Sequence, residues 1–163
     1  MPAYMKVDGI TGESTDKKHP GKEGWIIIQS LSAPVFRSIP EGAKDQQRSR
    51  GTTTLGDVVV LRELDRSSVD VQKACANGTF YKTVEIDLCS NVKGTAEPYL
   101  KYKLHNVIFT SYSFHGNASG DPLPTEELTM NYTKVEWTYT RLDPETGDPG
   151  GNTVGSYSPG ESV

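Results

Sequence analysis

The sequence predicts a mainly β fold of two sheets with one short α-helix packed on its side. Three observations carry that reading. Residues 80–88 and 99–105 alternate apolar and polar side chains, the mark of strands wetted on one face. One stretch, residues 64–78, carries stop and start signals for a helix at both ends. Apolar residues make up only 34% of the 163, with a mean hydropathy of −0.53. So thin a supply suits half-wet sheets, or a subunit that completes itself against copies. The length fits one domain.

The helix is the pivot. Ser67 followed by Asp70 fits a reciprocal N-terminal cap, and Ser68 is a second capping candidate. Asp70 also suits the positive end of the helix dipole. At the far end Asn77-Gly78 offers a left-handed stop, although the same pair also fits a two-residue hairpin turn. Ala74, Cys75 and Ala76 lack the bulk of strand residues and favour the helix. Val69, Val71, Gln72, Cys75 and Ala76 make only a weak apolar stripe, so packing against sheet has to hold this element.

In chain order, residues 3–7 form a first strand that ends at Asp8-Gly9, and 11–21 form a polar loop. Residues 25–32 are the most apolar strand, which Pro34 breaks or confines to an edge. Residues 38–51 are a hydrophilic connection long enough to be functional or disordered. Strand residues resume at 52–55 and 58–61. After the helix, Phe80, Lys82, Val84, Ile86 and Leu88 share one strand face. Leu100, Tyr102 and Leu104 then point inward, and 107–115 follow almost without pause. The last strand, 128–139, changes phase. Leu128, Met130 and Tyr132 share one parity, and Val135, Trp137 and Tyr139 the other, so a bulge or corner is expected near Thr133-Lys134. The domain is expected to end at residue 142, leaving 143–163, with five glycines and three prolines, as a flexible acidic tail.

The net charge of −4 identifies no partner, because the tail holds Asp143, Glu145, Asp148 and Glu161 and no Lys or Arg. The body then balances 17 basic against 17 acidic residues (21 minus 4), which argues against nucleic-acid binding. No window approaches a membrane span, and residues 1–6 lack the apolar run of a cleaved leader. Cys75 and Cys89 read as two reduced, buried thiols ahead of a disulfide. His19, His105 and His115 show no metal-ligand spacing, no nucleophile elbow or phosphate loop is present, and no cofactor is implied. Pairs such as Asp8 with Glu13, or Glu126 with Glu127, arise readily by chance among 21 acidic residues. No catalytic residue is therefore assigned. Trp25, Trp137 and eight tyrosines fit core packing better than a sugar platform, which would make the chain a monomeric carbohydrate-binding β-sandwich instead.

Several stretches resemble the haemolysin-coregulated protein (Hcp) family, the tube subunits of type VI secretion systems. Lys6-Val7-Asp8-Gly9-Ile10-Thr11-Gly12-Glu13-Ser14 is similar to that family's opening strand and turn. Ala74-Cys75-Ala76-Asn77-Gly78 resembles the end of its single helix, and Tyr99-Leu100 with Leu104 to Val107 its middle strands. The run from Asp121 to Glu126, then Leu128 to Tyr139, resembles its closing hairpin. The acidic tail points to the EvpC-type branch. Gln29-Ser30-Leu31-Ser32 departs from the family's aromatic-rich run, and the loop that follows is charged rather than glycine-rich.

The resemblance implies a two-sheet β-barrel with the helix beside it, assembling as a homo-oligomer: hexameric rings that stack into a tube. Its partners would be a spike, sheath and baseplate components, and effectors carried in the lumen. The chain would be made in the bacterial cytoplasm and exported without a cleaved leader. On that frame, strand parity makes Ser30 and Ser32 candidates to line the channel. The loop, with Arg37, Lys44, Arg48 and Arg50 against Glu41 and Asp45, carries a local +2. It is a candidate stacking arm, with Asp121, Glu126 and Glu127 as its acidic counterpart.

Overall fold

Alternation in the sequence becomes strand, and the strands form one large curled sheet. The structure, a computed structural model, describes residues 1–116, 119–120 and 123–160. In order come β1 (Ala3–Val7), β2 (Trp25–Ile28), β3 (Ser30–Ser32), β4 (Val35–Arg37), β5 (Thr53–Leu55) and β6 (Val58–Glu63). Then follow α1 (Ser68–Asn77), β7 (Phe80–Val92), β8 (Thr95–His115), β9 (Thr125–Asn131), β10 (Lys134–Leu142) and β11 (Pro149–Tyr157). Nine strands join one antiparallel sheet in the order β2-β1-β7-β8-β9-β6-β3, with β10 on β8 and β11 on β10; β4 and β5 pair separately.

A line of phase changes folds that sheet into two layers. On β8, Leu104 and Val107 are both buried, so the inward parity switches at Asn106, whose φ is +55°. Tyr132 and Val135 make the same switch between β9 and β10, which pair with β8 on either side of it. The Asn106 side chain donates to Thr133 Oγ1 at 2.7 Å, and the Thr133 amide to the His105 carbonyl at 3.0 Å. On β7 the switch falls at Lys82: Phe80 is 57% exposed, while Tyr81 packs edge-on against Phe109 with ring centroids 5.6 Å apart. The corner expected near Thr133 is thus three strands wide. Phe80 and Lys82 do not share the inward face of Val84 and Ile86, because a strict period of two does not survive it.

One layer holds β2, β1, β7, the first half of β8, β10 and β11; the other holds the second half of β8, β9, β6 and β3. Among the described residues hydrogen bonding does not close the sheet into a continuous barrel, since β2 and β3 end its main path unpaired with each other. These are consecutive pieces of one segment, however, and between them the Gln29 amide already donates to Leu61 of the second layer at 2.8 Å. Met5, Ile26, Val60, Ile86, Leu104, Phe109, Leu128 and Met130 fill the space between the layers. Residues 143–163, set apart in the sequence as a tail, contain β11, which pairs with β10 from Val135–Tyr157 to Leu142–Pro149. Glycine and proline hid this strand, because its pairing rests on backbone rather than on apolar side chains. All of β11 except Tyr157 is exposed.

The helix runs Ser68–Asn77 and stops at Gly78 with φ +63°, so the helical reading of Asn77-Gly78 holds over the hairpin. Its N-terminus is organised differently from expectation. Ser67 is the N-cap, but its side chain makes no capping bond with the helix; Asp65 instead braces the turn before it, Oδ1 accepting from the Ser67 amide at 2.7 Å and the Asp65 amide donating to Ser68 Oγ at 3.0 Å. Val71 and Ala74 are buried, but Val69 is 71% exposed and leaves the stripe.

Below this cap lies a buried charge. Val58, Val60 and Arg62 occupy successive inward positions of β6, and all are fully buried. Arg62 pairs with the equally buried Glu126, directly opposite on β9. It also donates to Asp65 Oδ1 (3.1 Å), Ser67 Oγ (2.7 Å) and Ser68 Oγ (3.1 Å). Glu126 accepts from the Tyr112 hydroxyl at 2.7 Å. Tyr112 points inward because a register shift between Phe109 and Ser111 changes the parity of β8. Burial, then the Glu126 hydrogen bond and charge, push the Tyr112 hydroxyl up to about 12, so it stays a donor.

Removing one partner of such a pair strands the other in a dry site. Arg62→Ala is expected to cost about 3–5 kcal/mol in urea unfolding. Replacing both, as Arg62→Met with Glu126→Leu, should recover part of the loss. An Arg62→Ala protein with an unchanged urea midpoint would show the pair to be idle.

Candidate functional site

The two layers turn chemically different faces to the outside. On the second layer the outward rows run Ser30–Leu61–Glu127–Ser113 and Ser32–Val59–Thr129–Ser111 across β3, β6, β9 and β8. Ser30, Ser32, Ser111 and Glu127 are exposed, and the rest are half-buried. Small hydroxyls dominate, giving a wet, shallow surface. On the first layer the corresponding row is Lys6–Glu85–Lys103–Glu136, alternating in sign across β1, β7, β8 and β10. Opposite charges on neighbouring strands hold one another without deep burial. His105 extends this ladder, its Nε2 2.6 Å from Glu136 Oε2, and this hydrogen bond first of all holds the Glu136 carboxyl below its usual range.

The long connection is a built arm. β4 and β5 pair from Val35–Leu55 to Arg37–Thr53, and residues 45–50 between them form a 3-10 turn. Arg37 donates to Thr53 Oγ1 at 2.9 Å and to the Ser49 carbonyl. Although exposed, it braces the arm through these two bonds. Lys44, Arg48 and Arg50 are exposed, and so are Val35, Phe36 (58%) and Ile39. The acidic counterpart is not the cluster expected. Glu126 is fully buried against Arg62, because β9 alternates it inward with Leu128 and Met130. Only Glu127 is exposed, and Asp121 lies outside the described residues.

Comparison with known proteins sets these faces in context. The profile described as "Type VI secretion system effector, Hcp" matches residues 4–139. The chain belongs to the Hcp family. A curated Hcp1 from Pseudomonas aeruginosa is 24% identical over 148 residues, 91% of this chain and 88% of that one. A solved type six secretion system protein superposes with a TM-score of 0.87 at 26% identity, covering 96% of this chain and 94% of the other. Hcp1 of Salmonella typhimurium gives 0.72 at 22% identity, covering 96% and 93%. The Hcp family is structural and secreted, a tube protein of type VI systems and not an enzyme.

One feature of this Hcp chain imitates a catalytic triad. His19, called only a loop residue by its sequence context, is buried between Asp16 (Nδ1 to Oδ2, 2.9 Å) and Asp87 (Nε2 to Oδ2, 3.0 Å), with Cys89 Sγ 3.9 Å from Nε2. A thiol, an imidazole and a carboxylate in contact are the parts of a nucleophile. Here they are wired against that use. Nε2 is engaged by Asp87, and burial followed by the charges of Asp87 and Asp16 pushes the Cys89 thiol up to about 12. An activated cysteine has the opposite shift and an open approach. The signal for this cluster was weak in the sequence, since its members lie on a loop and on an outward strand parity with Cys89 beyond the Leu88–Cys89 register shift.

Cys75 and Cys89 are both free, but only Cys89 is fully buried. A thiol-specific reagent at pH 8 should therefore modify Cys75 in the native protein, and Cys89 only in denaturant. Ready native labelling of Cys89 would contradict the shielded, neutral thiol.

Proposed function

We propose that this Hcp chain forms a ring, of six copies as the family resemblance implies, with the hydroxyl-rich face of the second layer lining a lumen. Rings stack into a tube that carries effectors, capped by a spike and enclosed by a sheath on a baseplate. The single observation that carries this reading is the outward row of Ser30, Ser32, Thr129, Ser111 and Ser113. A cargo channel needs a surface that is wet, small-featured and weakly adhesive. The carbohydrate-binding alternative asks for coplanar exposed aromatics. Instead Trp25, Tyr4 and Tyr132 are buried, and Trp137 packs against the core.

The arm is the stacking element in this reading. Lys44, Arg48 and Arg50 stand on an exposed projection whose apolar members, Val35, Phe36 and Ile39, are also uncovered. A single exposed ion pair contributes only about 0.2–1 kcal/mol. Repeated around a ring, the same contact acts multivalently. Glu127 is the exposed acidic residue left from the expected counterpart, and it belongs to the lumen face.

Particle size and negative-stain microscopy test the assembly: rings are expected, and a monomer of 17.8 kDa would exclude them. Salt at roughly 1 M, with a screening length of ~3 Å, should separate stacked rings while leaving each ring whole. Reversing Arg48 and Arg50 to Glu should do the same at low salt. If the reversed protein stacked like the wild type, the arm would not be the electrostatic contact. Ser32→Trp should leave ring size unchanged and reduce retention of effectors. Loss of the ring itself would place Ser32 between subunits.

A further inference from the structure

The loop joining β1 to β2 is a strap with a specific fastening. Gly9 turns the chain away from β1 with φ +82°, and Gly24 returns it to β2 with φ +94°. Between them the strap folds on itself: the Gly12 amide donates to the Gly21 carbonyl at 3.1 Å, and the Gly21 amide to the Ser14 carbonyl at 2.7 Å. Gly12 lies so close to β2 that a Cβ there would sit 2.1 Å from the Trp25 carbonyl oxygen. One end of the strap touches the turn before the helix, where Glu13 accepts from the Arg66 amide at 3.1 Å. The other end is fixed to the sheet by His19, a polar side chain 2% exposed.

The geometry around His19 restricts its protonation. Each ring nitrogen faces a carboxylate oxygen, Asp16 on the strap and Asp87 on β7. Ionised carboxylates only accept, so both nitrogens have to donate, and only the imidazolium has two N–H groups. Every packed element contributes a neighbour. β1 stacks Tyr4 on the ring at 4.4 Å, β2 sets Trp25 edge-on at 4.6 Å, and β7 brings Asp87 and Cys89. From β8 come Lys101, 3.8 Å from the same Asp87 oxygen, and Glu97, which pairs with Lys18 beside His19 on the strap. With the ring protonated, His19 and Lys101 balance Asp16 and Asp87. Without that proton a lone pair confronts a carboxylate in a buried site.

We propose that His19 is a proton-operated latch, holding residues 10–24 against the β1–β7 face while its ring carries both protons and releasing them when one is lost. Of the strap only Ile10 belongs to the core between the layers, so release around His19 opens this segment without unfolding the domain. The inference stands apart from the tube reading, because it concerns contacts within one chain.

The direction of the pH effect follows from the same contacts. Burial disfavours the charged ring, yet the hydrogen bonds to Asp87 and Asp16 and their charges outweigh it and raise His19 above its ordinary 6.5. Burial likewise opposes ionisation of Asp16, but the hydrogen bond from His19 and the amides of Lys18 and His19 keep its carboxyl below the usual range. A raised imidazole pKa contributes stability that is complete below the unfolded value and is lost as pH rises through the folded one. The strap is therefore fastened at low pH and released as pH rises through the raised His19 value.

The test is hydrogen exchange of the full chain in the assembly it forms, corrected for intrinsic rates, between pH 6 and pH 9.5. Light scattering at each pH separates strap release from any change in assembly. Protection of the strap amides is expected to fall about tenfold for each unit by which the fold raises the His19 pKa, while β7 and β8 amides hold. His19→Gln should exchange fast in the strap at every pH, with the dependence gone. Asp16→Asn, which keeps the buried Asp87 contact, should move the midpoint to lower pH. Should His19→Gln fail to fold, wild type and Asp16→Asn decide between them. A flat wild-type profile, or the same fall in His19→Gln, would overturn the latch.

Discussion

The buried pair of Arg62 and Glu126 fixes how the second layer and the helix meet. It stands at inward positions of β6 and β9 that alternation would give to apolar side chains. There it ties four elements together: β6 and β9 through the pair, β8 through the Tyr112 hydroxyl, and the helix N-terminus through Asp65, Ser67 and Ser68. A cation near the positive end of a helix is unfavourable by itself. Two carboxylates around one guanidinium reverse the local sign, so the helix start sees a net negative cluster. The helix has a thin apolar stripe, and this network fixes where on the sheet it begins.

The same network shows why a sequence reading of acidic residues can misplace them. Glu126 and Glu127 are adjacent and chemically alike, yet one is sealed in the interior and the other is on the surface. Strand parity contained the answer, since Glu126 shares the parity of Leu128 and Met130. Parity rather than charge decides that position, and Arg62 on β6 shares the parity of Val58 and Val60 in the same way. The strands, the single helix, its glycine stop and the corner near Thr133 were legible because each depends on local pattern. The corner's extension to Lys82 and Asn106 was not, because it appears only when three strands are set in register. β11 escaped for a related reason: its pairing is a backbone matter, and its composition is that of a linker.

The outer faces and the His19 cluster divide the same way. Ser30 and Ser32 were found from parity at a strand end, and their exposure agrees with it. Their neighbours Thr129, Ser111 and Ser113 lie far along the chain and join them only through cross-strand pairing. The arm was visible as an over-long charged loop, but not the bonds by which the exposed Arg37 ties it to Thr53 and Ser49. The His19 cluster was invisible, because two aspartates, a cysteine and two aromatic rings had to be gathered from a loop and three strands.

The folded corner also has a mechanical meaning. β7 and β8 run through it as unbroken chain, and β9 and β10 are joined across it by two residues. Two layers held only by side-chain packing would slide when sheared. Here such a load is borne by covalent backbone and ladder hydrogen bonds acting together, and Gln29 carries a further strand from one layer to the other at the opposite side. The domain resembles a folded plate stiffened at both creases, a shape that resists flattening when it is pushed from one end.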